Sequence, residues 1–451
     1  MSQSLQSGLY ELCEKRIAED REFLALTGTC DNPVSDRLFD AYRLWQLQKT
    51  VKLVSEESPF YRRLYSAAGV APEDIRCLQD LEKLPFTTST DLESNPYRLL
   101  CTSQSKIERP VTFFSSGSVG QKKRVFFSQM DIQKILDFLP RGMHTVINPG
   151  EGRIQVLLQN SQGRGVGEIL AKSLRLYGMQ AWTSELQDDT EDIFRLASEN
   201  RVNVWFGDAL TILRASRILA QEHDLRHFGM QCIFLTMTNI PDSMVQSLED
   251  IWGCRVSTHY GLTEAGWGLA VDCEVCGGYH YNELDHIIEI VDPETGVPLP
   301  YGETGEVVLT TIARECMPLL RYRTGDIAAL SQCRCGGHLD ILAHIVRRKE
   351  GACRIAGREL YPALFDEILF RDRQVLDYRV YTDGEQLFFD AEVLRPNCFD
   401  TWTLTEQLRK LPVLQGMKPP HIRALPVGVL RTYAFEKKRV LPVSERVGAT
   451  E

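Results

Sequence analysis

The chain has 451 residues, 43% hydrophobic and 25% charged, the make-up of a globular protein long enough for two or more domains. Lysine and arginine number 51 against 61 acidic residues, a formal charge of −10, which argues against general nucleic-acid binding and against an anionic membrane surface. No apolar run nears the roughly 18 residues of a membrane span, and Met1-Ser2-Gln3-Ser4-Leu5-Gln6-Ser7 lacks the features of a signal peptide. A cytoplasmic protein is expected, its 13 cysteines mostly reduced rather than bridged.

Helices are predicted through the first hundred residues, where Leu38, Tyr42, Leu44, Leu47, Val51 and Val54 recur every three to four positions. Pro59, Gly69, Pro72 and Pro85 punctuate the next stretch of chain. The apolar run Thr112-Phe113-Phe114 then stops at Ser115-Ser116-Gly117-Ser118-Val119-Gly120-Gln121, and Lys122-Lys123-Arg124 come after it. Small side chains let backbone N–H groups reach phosphate oxygens, hydroxyls add donors and cations offset charge, so this is the composition of a polyphosphate-binding loop as well as of an ordinary turn. It lacks the Gly-Lys-Ser/Thr ending of a Walker loop.

Strands are predicted over Ile154–Leu158, Val202–Gly207 and Cys232–Leu235, with helices over Glu168–Leu176 and from about Ala209. Such alternation favours a largely parallel sheet with helices on both faces. From Ile287 the pattern changes. Ile287–Val291, the turn Asp292-Pro293-Glu294-Thr295-Gly296 and Gly305–Thr311 read as a hairpin-rich, β-barrel-like subdomain running to residue 346. The charged segment Arg347-Arg348-Lys349-Glu350-Gly351 reads as a hinge or a solvated loop. Helix (about Leu364–Arg371) and strand (Leu387–Phe389, Ile422–Leu425) patterns then describe a small α+β domain over 347–451. The expected fold is therefore α/β: a large domain of parallel-rich sheets, residues 1–346, and a small mobile C-terminal domain.

Two further segments carry chemistry. Tyr260-Gly261-Leu262-Thr263-Glu264 and Tyr322-Arg323-Thr324-Gly325-Asp326 each set a carboxylate behind a Thr or Thr-Gly turn. Such a carboxylate suits Mg²⁺ or ribose hydroxyls, or simply a capped turn. Cys273-Glu274-Val275-Cys276-Gly277-Gly278-Tyr279-His280 and Cys333-Arg334-Cys335-Gly336-Gly337-His338 form two thiol knuckles, whose glycines permit the tight turns of tetrahedral Zn²⁺ ligation. His259 reads as a strand-end histidine, Trp252 and Trp267 as packing residues, and Arg321 and Arg323 as partners for acids.

In this order, the Ser115–Gly120 loop, Tyr260–Glu264, Asp292-Pro-Glu-Thr-Gly with Gly305-Glu-Val-Val-Leu-Thr-Thr, and Met317-Pro-Leu-Leu-Arg-Tyr-Arg-Thr-Gly-Asp326 resemble the motifs of the adenylate-forming (AMP-binding) superfamily, most closely its phenylacetate–coenzyme A ligase branch. The resemblance implies activation of a carboxylic acid, an aryl acid among the candidates, with ATP through an acyl-AMP, then transfer to coenzyme A. It implies that Ser115, Ser116, Gly117, Ser118 and Gly120 grip the ATP phosphates, Tyr260 stacks on adenine, Thr263 meets the α-phosphate, Glu264 holds Mg²⁺, and Asp326 and Arg348 lie at the ribose. Glu350 stands at the acidic position of the hinge motif. Relatives carry a Cys, a His seven residues on, and a Cys-x-Cys-Gly, which matches Cys273, His280, Cys333 and Cys335 as structural zinc ligands, with Cys276 the alternative to His280; they are often dimers.

Departures from the family pattern are equally specific. Gln121 stands where the loop usually carries Lys, with Lys122 and Lys123 next. Aligning Lys438-Arg439-Val440 with the family's C-terminal stretch sets Glu436 at the catalytic lysine position, with Lys437 beside it. An acid there would repel the substrate carboxylate, so Lys437 is the candidate. The adenine-lining turn of relatives is replaced around Thr236-Met237-Thr238-Asn239. These departures leave two other readings: a ligase with a different acceptor, and a degenerate nucleotide-binding module.

Overall fold

The computed structural model describes residues 5–28, 34–114, 122–143, 147–159, 165–237, 239–335, 339–348, 353–355, 357–430 and 440–446. The Ser115–Gly120 loop, Gln121, Glu350, Glu436 and Lys437 lie outside these residues. The chain divides into two units: residues 1–148 with 259–346, and residues 149–258 with 347–451.

The first unit opens with helices. Asp36–Glu57 starts at Ser35, whose hydroxyl accepts from Leu38 N. It gives way directly to Pro59–Ala68, where Ser58 caps Tyr61 N, proline takes the first position and Gly69, at φ 67°, ends the helix. The apolar stripe Leu47, Val51 and Val54 is fully buried against Tyr61, Tyr65, Phe126, Phe127 and Leu320. Strands Ile107–Phe114 and Lys122–Ser128 form an antiparallel hairpin, with Phe114 opposite Lys122. Strands His286–Val291, Gly305–Thr311 and Tyr322–Ala328 pair antiparallel in that order. The turn after Val291 is held by Asp292 Oδ1, which accepts from the Glu294 and Thr295 backbones and the Thr295 hydroxyl. The barrel-like closure expected for 287–346 is not found: among the described residues these strands form an open sheet. Each strand buries one face on a core with Tyr260, Leu269 and Tyr281, which a sheet of this width does without closing.

The second unit begins with the expected alternation. Strands Arg153–Leu157, Gln180–Ser184, Val204–Asp208, Cys232–Thr236 and Arg255–Tyr260 are joined by helices Val166–Leu176, Thr190–Glu199, Ala209–Leu219 and Asp242–Trp252. All the strand pairs are parallel, with Arg153–Leu157 between Gln180–Ser184 and Val204–Asp208. Gly207 is required where it stands, since a Cβ would lie 2.3 Å from the Leu157 carbonyl oxygen. Residues after 347 fold as a four-stranded sheet in the order His421–Leu425, Leu387–Val393, Val375–Thr382 and Val440–Pro442, with helices Ala363–Arg371 and Thr401–Arg409. Phe365, Leu369, Tyr378 and Phe389 join Trp205, Ile233 and Trp252 in one apolar core. Within that core Trp205 meets Trp252 edge to face, with ring centroids 4.8 Å apart. The guanidinium of Arg217 is buried with them and donates to the carbonyls of Phe370 (2.6 Å) and Asp372 (2.9 Å).

Candidate active site

Strand Arg255–Tyr260 delivers Tyr260 to the first unit, and the chain then turns tightly. Ala265 N and Trp267 N both donate to Leu262 O, and Gly266 N donates to Thr263 O. Gly261 has no room for a side chain, because a Cβ would meet the Trp267 carbonyl oxygen at 1.8 Å. Trp267 itself sits at φ 70°, rare for a residue with a Cβ. It is held there by stacking on Phe127 at 4.9 Å, with the Arg109 guanidinium 5.6 Å from its ring centroid. Arg314 donates to the Glu264 carbonyl at 2.6 Å. The half-buried Thr263 and the buried Glu264 therefore sit on a backbone fixed from both sides.

The Glu264 carboxylate is met by two groups. The Tyr322 hydroxyl donates to Oε1 at 2.9 Å, and Lys123 Nζ lies 3.5 Å from the same oxygen and 3.1 Å from Tyr322 Oη. Lys123 and Glu264 are both below one-tenth exposed, so the ammonium and carboxylate are matched inside the protein. Four residues past Tyr322, Asp326 is fully buried, and the Tyr260 hydroxyl donates to its Oδ2 at 2.7 Å. Tyr260, Glu264 and Asp326 thus converge with the strand that leaves the Ser/Gly segment. Arg348 lies in the short strand Arg347–Arg348, at the start of the second segment of the second unit. As expected, Arg321 and Arg323 serve acids, pairing with Glu289 at 2.8 Å and Glu306 at 2.5 Å.

Sequence reasoning did not single out Lys123, Tyr322 or Arg314 for this cluster. For Lys123 a signal was present: in Lys122-Lys123-Arg124-Val125 only the second cation falls on the inward parity of the strand, and Lys122 is exposed while Lys123 is buried.

The cysteine knuckles also meet. Gly277, at φ 66°, closes a turn in which Cys276 N and Gly277 N donate to Cys273 O. The other knuckle is tied by Cys335 N donating to Cys333 Sγ, and Arg334 N reaches across to Cys276 Sγ at 3.4 Å. The Sγ atoms of Cys273 and Cys335 are 3.9 Å apart and those of Cys276 and Cys333 3.8 Å, near the roughly 3.8 Å edge of a tetrahedral Zn–thiolate site. His280 Nε2 lies 3.3 Å from Cys335 Sγ. Burial lowers the His280 pKa to about 4, so the ring is neutral and its lone pair is available to a metal. The ligand atoms of Cys273, Cys276, His280 and Cys335 all lie within 4.8 Å of one another. The donor set fits a closed zinc site in which Cys276, rather than the expected Cys333, joins Cys273, His280 and Cys335.

No protein-family model matches the chain. Among curated proteins it is 28% identical over 363 residues to a phenylacetate-coenzyme A ligase of Thermus thermophilus, covering 77% of this chain and 79% of the relative. It is 26% identical over 401 residues to that of Pseudomonas putida, covering 85% and 88%. Among solved structures, a 2-hydroxyisobutyryl-CoA ligase in the postadenylation state with 2-HIB-AMP superimposes with a TM-score of 0.75 at 18% identity over 90% of both chains. The same ligase with 2-HIB-AMP and CoA, in the thioesterification state, gives a TM-score of 0.63 at 20% identity over 90% of both chains. At such identities the structural likeness carries the fold.

Proposed function

We propose, from the premise that this chain is a homologue of the phenylacetate–coenzyme A ligases with the fold of the adenylate-forming ligases, that it activates a carboxylic acid with ATP and passes the acyl group to coenzyme A. In the first step a carboxylate oxygen attacks the α-phosphorus and pyrophosphate leaves. In the second the thiol sulfur attacks the acyl carbon, AMP leaves and the thiol proton is released. The observation that carries this reading is the meeting of Lys123, Glu264 and Tyr322 beside the Tyr260–Asp326 pair. A phosphate-side cation, a metal-binding carboxylate and a ribose-side carboxylate belong to one catalytic need, which is to bring two anions together and steady charge on the α-phosphoryl group.

In this reading Glu264 holds Mg²⁺, which neutralises phosphate charge when bound, and Tyr322 fixes the rotamer that presents the carboxylate. Thr263 serves the α-phosphate, Tyr260 the adenine, and Asp326 and Arg348 the ribose hydroxyls. Lys437 supplies the C-terminal cation to the first step. A separate small domain of residues 347–451, a homodimer and a cytoplasmic setting are part of the same proposal. The boundary at 346/347 matches the domain's N-terminal limit, while residues 347–451 share one compact unit with 149–258. For the last, no helix among the described residues is long and apolar enough to cross a membrane.

Pyrophosphate exchange over a panel of aryl and short-chain acids tests the adenylation step, and coenzyme A consumption tests the transfer. Exchange without thioester would point to another acceptor. ATP binding without exchange would point to the degenerate module that Glu436, at the usual lysine position, otherwise suggests.

The proposal also ascribes a structural zinc ion to Cys273, Cys276, His280 and Cys335, whose donor atoms lie together, with Cys333 the alternative to Cys276. A closed set of four ligands leaves no position for substrate, so the metal would tie the Cys273 turn to the Cys333 knuckle. Cys335→Ser is expected to reduce zinc from about one per chain to a trace and to lower the melting temperature. Comparison with Cys276→Ser and Cys333→Ser identifies the fourth ligand by which variant keeps its metal. A native protein with no zinc by elemental analysis overturns the assignment.

A further inference from the structure

Helix Gln129–Met143 follows directly on the strand that carries Lys123. Its first turn is closed reciprocally. Asp131 N donates to Ser128 Oγ at 3.2 Å, and Ser128 N donates to Asp131 Oδ2 at 3.0 Å. Such a cap needs no burial, yet Asp131 is only 4% exposed. The same carboxylate is used again far along the chain. Glu315 N donates to its Oδ1 at 3.0 Å and Cys316 N to its Oδ2 at 3.2 Å, while the Ser128 hydroxyl donates to the Glu315 carboxylate at 2.7 Å. The residue before Glu315 is Arg314. Its guanidinium lies 4.8 Å from the ring centroid of Phe127, on the strand of Lys123, and donates to the Glu264 carbonyl at 2.6 Å.

A neutral donor would satisfy a backbone carbonyl, and burying a guanidinium to do so costs desolvation. The charge of Arg314 has a use of its own, because Asp131, Asp285 and Glu264 all face it. Glu264 is thus met by two buried cations, Lys123 at its carboxylate and Arg314 at its backbone. Asp131 ties together the two segments that bring them: the strand of Lys123 through Ser128 N, and the loop of Arg314 through Glu315 N and Cys316 N. An apolar residue of equal volume would fill the same space without setting that register. We propose that Asp131 is a positioning residue for Glu264, acting through Arg314, and that it serves the adenylation half-reaction. This rests on the reading above, in which Glu264 holds Mg²⁺ for that step. The thioester step has no pyrophosphate to neutralise and does not call on the metal in the same way.

Asp131→Asn keeps the shape but sets an amide donor against a backbone N–H. It is expected to slow pyrophosphate exchange about 100-fold at limiting Mg²⁺, the effect of a displacement near 1 Å. The Mg²⁺ concentration for half-maximal exchange should rise about tenfold, so that excess metal restores part of the rate. Thioester formation from supplied acyl-adenylate should stay within threefold. Arg314→Gln leaves the Asp131 cap intact and is expected to give the same shift, so the outcome does not depend on Asp131→Asn folding. Arg314→Lys, which keeps the charge, should recover part of the loss. In a Glu264→Gln background neither change should cost anything more, because each acts through that one group. An unchanged Mg²⁺ requirement, equal loss of both half-reactions, or additive losses with Glu264→Gln would each overturn the proposal. A native protein without exchange for any acid would overturn instead the reading beneath it.

Discussion

Lys123→Met is expected to lower the stability of the protein by about 3–5 kcal/mol, the cost of leaving one partner of a buried ion pair without the other. The carboxylate of Glu264 would remain inside with the Tyr322 hydroxyl, which supplies a dipole in place of a full charge. The pairing makes a sharper expectation possible. Glu264→Gln in the same chain removes the stranded charge, so the double variant should recover most of the lost stability, and denaturant unfolding of the four chains closes the cycle. Acid activation should not recover. Both single variants and the double one are expected to lose about 100–1,000-fold in pyrophosphate exchange, the scale of removing one preorganised charge from a site that stabilises a transition state. Added Mg²⁺ should raise the melting temperature of Lys123→Met more than that of the native chain, because the carboxylate is no longer matched by an internal cation. A double variant as unstable as Lys123→Met would show that the pair is not what holds Lys123 in the interior.

How much of this was legible in the sequence depends on the reach of each interaction. The strands Arg153–Leu157, Val204–Asp208 and Cys232–Thr236 were legible because strands buried on both faces are written as apolar runs. Gln180–Ser184 passed unnoticed because its composition, Gln-Ala-Trp-Thr-Ser, is not such a run, and its place in the sheet comes from pairing with Arg153–Leu157. Tyr260, Glu264 and Asp326 were visible as motif residues, but the hydroxyl-to-carboxylate bond that joins Tyr260 to Asp326 spans 66 positions and leaves no local trace. The cysteine knuckles were visible by their spacing, and the structure brings their thiols together. Spacing alone does not rank Cys276, His280 and Cys333, because all three can swing onto one point from turns that glycine permits. The shared core of residues 149–258 and 347–451 was the least legible, since the apolar faces of Phe365 and Leu369 carry no mark of the partner they bury against.

Asp326→Asn is expected to raise the dissociation constant for ATP about 10–100-fold with little change in the rate of the chemical step. In the proposed role its carboxylate accepts from ribose hydroxyls, and a hydrogen bond to a charged acceptor is worth about 1.5–3 kcal/mol against less for the neutral amide. Those hydroxyls are far from the reacting α-phosphorus and are bound alike before and during the reaction. Their loss therefore weakens ground state and transition state together, which lowers affinity without lowering the turnover of the bound complex. Tyr260→Phe separates the two duties of the neighbouring ring. It keeps the face for adenine and removes only the hydroxyl that donates to Asp326 at 2.7 Å, so a few-fold loss of ATP affinity is expected. Titration calorimetry with ATP and single-turnover measurement of acyl-adenylate distinguish the cases. If Asp326→Asn left ATP binding intact and slowed adenylate formation instead, the buried carboxylate would be serving the reacting centre rather than the ribose.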